Sequence, residues 1–145
     1  MQTPEQIAAF FHEKIPLTRA MGVQVLQWDS EALVLGAPLS LNFNHLGTAF
    51  GGSLTALATL CGYGVLWLEI GNTDAHVVIR KSEMSFRHPV RHDLRAVCRR
   101  PSREAIAELE SDLKRKRKAR ITLGVELYDS DTLAATFEGV FVAVI

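Results

Sequence analysis

The chain has 145 residues, 48% of them hydrophobic, which is the size of one domain with one substantial core. Its 16 basic and 16 acidic residues leave no formal net charge, and no nucleic-acid recognition motif is present, so nucleic-acid binding is not favoured. We expect a single domain over residues 1–145.

The first predicted elements are a short helix and two strands. Thr3 suits the N-cap of a helix that Pro16 ends. Residues 21–28 and 32–37 then have the composition of strands, separated by a compact Asp-Ser turn. This pattern predicts a helical flank followed by an antiparallel strand pair.

A helix with apolar residues on all sides follows, over residues 53–70. Such a helix must be wrapped by other elements. Its most apolar part is residues 54–68, whereas a membrane-spanning helix needs about 20 mostly apolar residues. We therefore expect a helix buried inside the protein, ended by Gly71 and Asn72, and no membrane association.

The rest of the chain predicts four more strands and one helix. The helix, over residues 102–118, is amphipathic, with acidic residues early and basic residues late, which suits the helix dipole. The strands are expected at 76–88, 94–100, 119–128 and 132–145. The sum is an α+β fold: a six-stranded antiparallel sheet wrapped around a central helix, with an N-terminal helix and an inserted basic amphipathic helix.

The charges are unevenly placed although they cancel. Residues 80–120 hold fourteen of the 16 basic residues and six acidic ones, a net charge of +8. Such a window is either a solvated face or a place where an anionic partner docks.

The two cysteines, Cys61 and Cys98, lie in apolar contexts without metal-ligand spacing. We expect no metal site, no disulfide and a reduced, cytoplasmic protein. The N-terminus also lacks the pattern of a signal peptide. Cys61 has no neighbouring His on its helix, so we expect an inert thiol rather than a nucleophile.

The loop before the central helix carries the run Asn-His-Leu-Gly-Thr-Ala-Phe-Gly-Gly over residues 44–52. With this run, the layout resembles the thioesterase family of the hotdog superfamily whose domain, in some relatives, follows an acetyltransferase domain. The resemblance covers essentially the whole chain. It implies a hotdog fold, a role in fatty acid metabolism and hydrolysis of acyl thioesters of coenzyme A or acyl-carrier protein. The coenzyme A moiety belongs to the substrate, and no cofactor is implied.

The resemblance also implies a homodimer, or a dimer of dimers, whose active sites lie at the subunit interface. The acyl chain would run beside the central helix, and the pantetheine would enter between the subunits. The free edges of the predicted sheet independently favour pairing with a second copy.

Thioester hydrolysis needs a polarised carbonyl. Gly51 and Gly52, at the start of the central helix, offer free backbone N–H groups and the positive end of the helix dipole. We predict that they form the oxyanion hole. The alternative is that two glycines only turn the chain tightly into a buried helix.

Thioesterases of the phenylacetate-pathway type place a loop Asn, an oxyanion-hole Gly and a helical catalytic Asp at positions that align with Asn44, with Gly51 or Gly52, and with Thr59. Here Thr59 replaces the Asp, and Phe50 replaces the His that commonly precedes the glycines. We expect Asn44 and Thr59 to hold the attacking water by hydrogen bonds, but neither is a base near neutral pH.

Two histidines are candidates for the missing base. His45 flanks Asn44, with the alternative that it braces the loop. His88 shares strand parity with Met84 and Phe86, so we expect it to face the core just before a proline. In related thioesterases a polar residue at this place contacts the reacting group from the partner subunit.

Substrate binding is expected to involve aromatic and basic side chains. Phe43 and Phe50 are predicted to shape the acyl pocket, and Arg87, Arg91 and Arg95 to bind the phosphates of coenzyme A at the mouth of the tunnel. Further side chains expected to shape the pocket are Leu57, Tyr63 and Trp67.

Two other functions fit the same fold. One is a protein that binds acyl-CoA without hydrolysing it, which the missing helical Asp favours. The other is a hotdog dehydratase or hydratase, which needs a His opposite an acidic residue, and the central helix has no carboxylate before Glu69 at its far end.

Overall fold

The protein is described here from a computed structural model, which describes residues 1–71 and 74–145. Within these residues, four α-helices, one short 3₁₀ helix and six strands follow one another. The helices are α1 (Pro4–Lys14), α2 (Pro16–Ala20), α3 (Gly51–Ile70) and α4 (Arg103–Lys116), with the 3₁₀ helix at Leu39–Leu41. The strands are β1 (Gln24–Trp28), β2 (Ala32–Ala37), β3 (His76–Phe86), β4 (Leu94–Arg99), β5 (Lys118–Asp129) and β6 (Thr132–Val144).

The six strands form one antiparallel sheet in the order β1-β2-β4-β5-β6-β3. The sheet curves around α3, which packs against β2, β3, β4, β5 and β6. The predicted sheet wrapped around a central helix is therefore confirmed. β1 and β3 are the two edge strands.

The helix α3 is the core of the fold. Its apolar residues lie all round the helix axis, because the sheet covers most of its circumference. A side chain at Gly62 would lie only 2.5 Å from the Phe141 ring, so glycine lets α3 approach β6 closely. By length and composition α3 is apolar enough to cross a membrane, but its packing against the sheet is that of the core helix of a soluble domain.

The ends of the helices follow the predicted chemistry in most places. Thr3 caps α1 in a capping box with Gln6. Gly71 ends α3 in the left-handed conformation, with φ of 62°. Asn72, which was predicted to end α3 together with Gly71, lies outside the described residues.

Several boundaries differ from the sequence-based prediction. A helix that was not predicted, α2, begins at Pro16. β1 begins at Gln24 rather than Met21 because Met21 caps α2. β3 was expected to continue to His88 but ends at Phe86. Both following amides, of Arg87 and His88, donate to one carbonyl, that of Ala134, which interrupts the regular ladder.

Candidate active site

The start of α3 lies against the segment that follows β3. The N–H of Ala49 donates to the carbonyl of Val90 over 2.8 Å. A Cβ atom at Gly51 would lie 3.6 Å from the Phe86 ring, which is ordinary van der Waals contact. The glycine pair of the loop and the end of β3, far apart in the sequence, are therefore neighbours in space.

The loop before α3 is braced by the side chain of Asn44. Its Oδ1 accepts hydrogen bonds from the backbone amides of Leu46 (2.9 Å) and Thr48 (3.2 Å). Its Nδ2 donates to the Thr48 hydroxyl over 3.0 Å. Both ends of the amide thus bond within the loop, which fixes the path of the chain into α3. His45, next along the loop, is exposed.

The first amides of α3 are available to a ligand. The neighbouring amides of Phe50 and Ser53 donate to backbone carbonyls. In the described part of the chain, no acceptor lies against the amides of Gly51 and Gly52. A Cβ atom at Gly52 would lie 2.4 Å from the Phe50 ring, so this glycine also serves the tight packing of the loop. Both predicted uses of the glycine pair, the turn and the free donors, are compatible with this geometry.

Exposed aromatic side chains lie in the loop before α3 and beside its first glycines. Phe43, Phe50 and Phe86 are each more than half exposed. Phe50 packs beside Gly52, and Phe86 beside Gly51. The surface at the start of α3 is thus apolar around two backbone donors.

An apolar cavity of about 500 Å³ lies further along α3, between α2, the middle of α3 and β3. Thr59 lies in its wall, and its hydroxyl donates to the carbonyl of Thr55 over 2.8 Å. Leu57 and Tyr63, expected to shape the acyl pocket, also line this cavity. The other three side chains expected to shape the pocket, Phe43, Phe50 and Trp67, do not line this cavity. Trp67 stacks on Phe10 instead, with ring centroids 4.0 Å apart.

A buried carboxylate at the end of β5 holds the segment after β3. Asp129 is 7% exposed and accepts hydrogen bonds from the backbone amides of Arg91 (3.0 Å) and His92 (3.2 Å). The ring Nδ1 of His92 lies 2.9 Å from Oδ1, and the ring Nε2 of His88 lies 3.3 Å from Oδ2. Burial raises the pKa of Asp129, but the donation from His92 and Arg91 outweighs it, so the pKa is lowered.

Asp129 is the residue of this region that the sequence did not reveal. The strand pattern predicts a turn after β5, where an acidic residue is ordinary. Only the pairing of the strands brings Asp129 to His88. The prediction that His88 faces the core was wrong, because β3 ends at Phe86 and the His88 side chain, 40% exposed, faces Asp129 instead. The described residues contain no group of three His, Cys, Asp or Glu side chains arranged to hold a metal ion.

The three predicted phosphate-binding arginines lie at this end of the sheet. Arg87 and Arg91 are exposed. Arg95 donates to the carbonyl of Ser130 over 2.8 Å and lies over the Tyr128 ring. Arg91 and Arg95 line one surface depression. Arg91 and Arg95 therefore lie beside the turn that carries Asp129, and Arg87 lies in the segment just after β3.

The basic cluster at residues 114–118 lies at the opposite end. Lys118 and His76 both pair with Val144, at the end of the sheet where β3 begins. Gly51 contacts Phe86, where β3 ends. The 20 residues of α3 separate the two ends, which is about 30 Å at 1.5 Å per residue.

The thiols are buried, as expected. Cys61 is fully buried, and its Sγ donates to the carbonyl of Leu33 over 3.4 Å. Burial raises the pKa of Cys61 well above its usual value and that of Cys98 to about 12. Neither group supplies a thiolate near neutral pH, so the interpretation of Cys61 as an inert thiol holds.

Because both thiols are buried, we predict that the native protein reacts very little with a thiol-reactive dye. We expect well below one thiol equivalent to react in the folded state and both cysteines to react in guanidinium, because the thiolate is the reactive form. A time course of dye absorbance with and without denaturant measures this. Rapid reaction of a full equivalent in the folded protein would contradict it.

The sequence matches the family described as "Putative thioesterase (yiiD_Cterm)" over residues 4–145. The chain belongs to this family. Family membership supports thioester hydrolysis as the general activity.

Solved structures with the same fold agree with this assignment. A "putative thioesterase" from Shewanella oneidensis is 29% identical, covers 98% of this chain and 97% of its own, and superposes with a TM-score of 0.87. A protein of unknown function from Chlorobaculum tepidum is also 29% identical, covers 98% of this chain and 96% of its own, and gives 0.90. A "probable thioesterase" from Pseudomonas aeruginosa is 25% identical, covers 99% of this chain and 97% of its own, and superposes with a TM-score of 0.84. The predicted hotdog fold is confirmed by these similarities.

Proposed function

We propose that this protein hydrolyses acyl thioesters of coenzyme A or of an acyl-carrier protein. The observation that carries the proposal is the pair of amides at the start of α3 that have no acceptor among the described residues, on the same helix that lines a large apolar cavity. The amides would bind the thioester carbonyl, and the cavity would bind the acyl chain.

The positions along α3 are consistent with a carbonyl site at the start of the helix and an acyl site further along it. The cavity is lined on α3 by residues from Ala56 to Tyr63. At 1.5 Å per residue, these positions lie about 8 to 18 Å from Gly51 along the helix axis. An acyl chain whose carbonyl is held at Gly51 would therefore run beside the central helix into the cavity.

The reaction requires an oxyanion site, a water and a base. The water oxygen bonds to the thioester carbon while its proton passes to the base, and the amides of Gly51 and Gly52 donate to the oxyanion. The tetrahedral intermediate then collapses and the C–S bond breaks. The base returns the proton to sulfur, so the products are a carboxylic acid and a free thiol.

His88 is the base we favour. It lies between Phe86 and Val90, which both contact the loop or the start of α3, and a carboxylate faces its ring. His45 is exposed on the loop beside Asn44. Thr59 and Asn44 use their polar groups within the protein. We assign Asn44 the role of bracing the loop and Thr59 that of lining the cavity.

The basic residues at this end offer a site for the nucleotide part of coenzyme A. Arg87, Arg91 and Arg95 supply guanidinium groups that match phosphate geometry. The cluster at 114–118 lies about 30 Å away along α3. It is therefore not part of the phosphate site of the same subunit in this proposal.

A homodimer would complete the site. β3 is an edge strand of 11 residues whose Val78 and Ile79 are exposed. A long edge strand with exposed apolar side chains invites pairing with another strand. Val78 and Ile79 also line the cavity, so a second copy paired along β3 would close the groove that the acyl chain occupies.

The test is release of thiol from a panel of acyl-CoA esters of increasing chain length, with the matching acyl-pantetheine esters as a comparison. We expect hydrolysis, with kcat/KM higher for the coenzyme A esters because the arginines bind their phosphates. Tight acyl-CoA binding without thiol release from coenzyme A, pantetheine or carrier-protein esters would favour the non-catalytic alternative.

The dehydratase or hydratase alternative has less support. The one carboxylate of α3, Glu69, lies at the far end from Gly51 and is paired with Arg100. It is therefore unsuited to act opposite a His at the start of α3. Turnover of an enoyl or hydroxyacyl thioester without thiol release would revive that alternative.

A further inference from the structure

The two oxygens of the Asp129 carboxylate have different partners. Oδ1 accepts from the backbone amides of Arg91 and His92 and lies 2.9 Å from the ring Nδ1 of His92. Oδ2 lies 3.3 Å from the ring Nε2 of His88 and has no other partner in the described part of the chain. One oxygen holds the backbone, and the other is left for His88.

We propose that Asp129 is a positioning residue that acts through His88. A carboxylate only accepts hydrogen bonds, so it favours the tautomer of His88 with the proton on Nε2. Nδ1 is then the free acceptor for the proton of the attacking water. This inference rests on the proposed function of His88, and it extends that function to a residue 41 positions further along the chain.

The backbone around His88 is held in a way that suits this role. The amides of Arg87 and His88 donate to the carbonyl of Ala134 over 2.8 and 3.0 Å. Two residues later, the carbonyl of Val90 accepts from Ala49. His88 thus lies on a short segment tied to β6, to the loop before α3 and to Asp129, so its ring has a fixed support.

His92 shares the carboxylate but differs in placement. Its side chain is 66% exposed, compared with 40% for His88. His88, not His92, lies between the two residues that contact the start of α3. His92 is therefore the matched control: a histidine on the same carboxylate that has no role in the proposed reaction.

Asp129→Asn separates the two functions of the carboxylate. The backbone amides of Arg91 and His92 require an acceptor, so the amide oxygen of the new side chain takes the place of Oδ1. Its NH₂ group then takes the place of Oδ2 and donates to His88. This reverses the tautomer of His88, while the backbone bonds of the segment are retained.

We expect kcat of Asp129→Asn to fall about 10²- to 10⁴-fold with little change in KM, the range of a general base held in the wrong protonation pattern. The kcat of His88→Asn falls by a similar factor. The kcat of the double variant is no lower than that of His88→Asn, because Asp129 acts through that histidine. His92→Asn retains activity within about threefold. Unchanged kcat in Asp129→Asn, or losses that multiply in the double variant, would overturn the proposal.

A second readout does not depend on turnover. Nitrogen-15 NMR of labelled histidine reports which ring nitrogen carries the proton. We expect Nε2–H for His88 in the wild type and Nδ1–H in Asp129→Asn, with His92→Asn giving the wild-type pattern at His88. The same tautomer in both proteins would overturn the positioning role. If the wild type has no thioesterase activity but Asp129→Asn still changes the tautomer of His88, only the proposed reaction is refuted. The positioning role of Asp129 would then stand.

Discussion

Replacing Gly51 by proline is expected to lower kcat for thioester hydrolysis by about 10²- to 10³-fold, the effect of losing one oxyanion-hole donor. Proline has no backbone N–H, so the substitution removes one of the two amides proposed to bind the oxyanion. Steady-state thiol release measures the loss. Few single substitutions remove a backbone donor so directly.

The fold should tolerate this change. Gly51 is the first residue of α3, where proline is favoured and where its missing N–H has no helical partner. The preceding residue, Phe50, already has φ of −64° and ψ of 132°, the extended conformation that proline requires before it. We therefore expect the free energy of unfolding, measured by thermal denaturation, to lie within about 1 kcal/mol of the wild-type value.

The control is Gly51→Ala, which retains the amide. Its Cβ would lie 3.6 Å from the Phe86 ring, an ordinary contact. We expect this variant to lose much less activity than the proline variant. If both variants lose activity equally, the shape of the loop matters rather than the N–H of Gly51. Wild-type activity in Gly51→Pro would remove Gly51 from the oxyanion hole.

Replacing Thr59 by phenylalanine is expected to change which acyl chains are hydrolysed. Thr59 lines the apolar cavity, so the larger ring occupies space that the acyl chain would fill. Each methylene that the cavity no longer accepts loses about 0.8 kcal/mol, about fourfold in kcat/KM. Excluding about four methylenes would lower kcat/KM for long chains about 200-fold and leave short chains little changed. The slope of log kcat/KM against chain length measures this.

Thr59→Val is the matched control, because it keeps the shape of the side chain and removes the hydroxyl. The hydroxyl donates to the carbonyl of Thr55, so we expect little change in either kcat or the chain-length slope. A large fall in kcat for every chain length in Thr59→Val would support the sequence-based prediction that Thr59 holds the water. An unchanged slope in Thr59→Phe would exclude the cavity as the acyl site.

The family resemblance and the structure differ most in the source of the base. The family resemblance implies that Thr59 takes the place of a helical Asp. The structure offers Asp129 and His88 instead, near the start of α3 but outside the helix. If both proposals hold, the acid–base function has moved from the central helix to the end of the sheet.

The sequence by itself determined most of the elements and much of the fold, although it did not predict α2. The apolar circumference of α3 predicts a wrapped helix, and the alternation in β5 predicts a strand with one buried face. These patterns have the periods of the helix and the strand, which are local properties of the chain. The glycine pair at Gly51 and Gly52 is likewise visible in the sequence, as a place where the backbone can turn tightly or approach a ligand closely.

Only the tertiary structure decided which side chains meet. Asp129 reaches His88 because β5, β6 and β3 are neighbours in the sheet, and no periodicity encodes that neighbourhood. The distance between the cluster at 114–118 and the start of α3 follows from the direction of α3 across the sheet. The cavity beside Thr59 exists because α2, α3 and β3 leave space between them. Local patterns report burial and secondary structure, whereas distances between residues far apart in sequence depend on strand order and register.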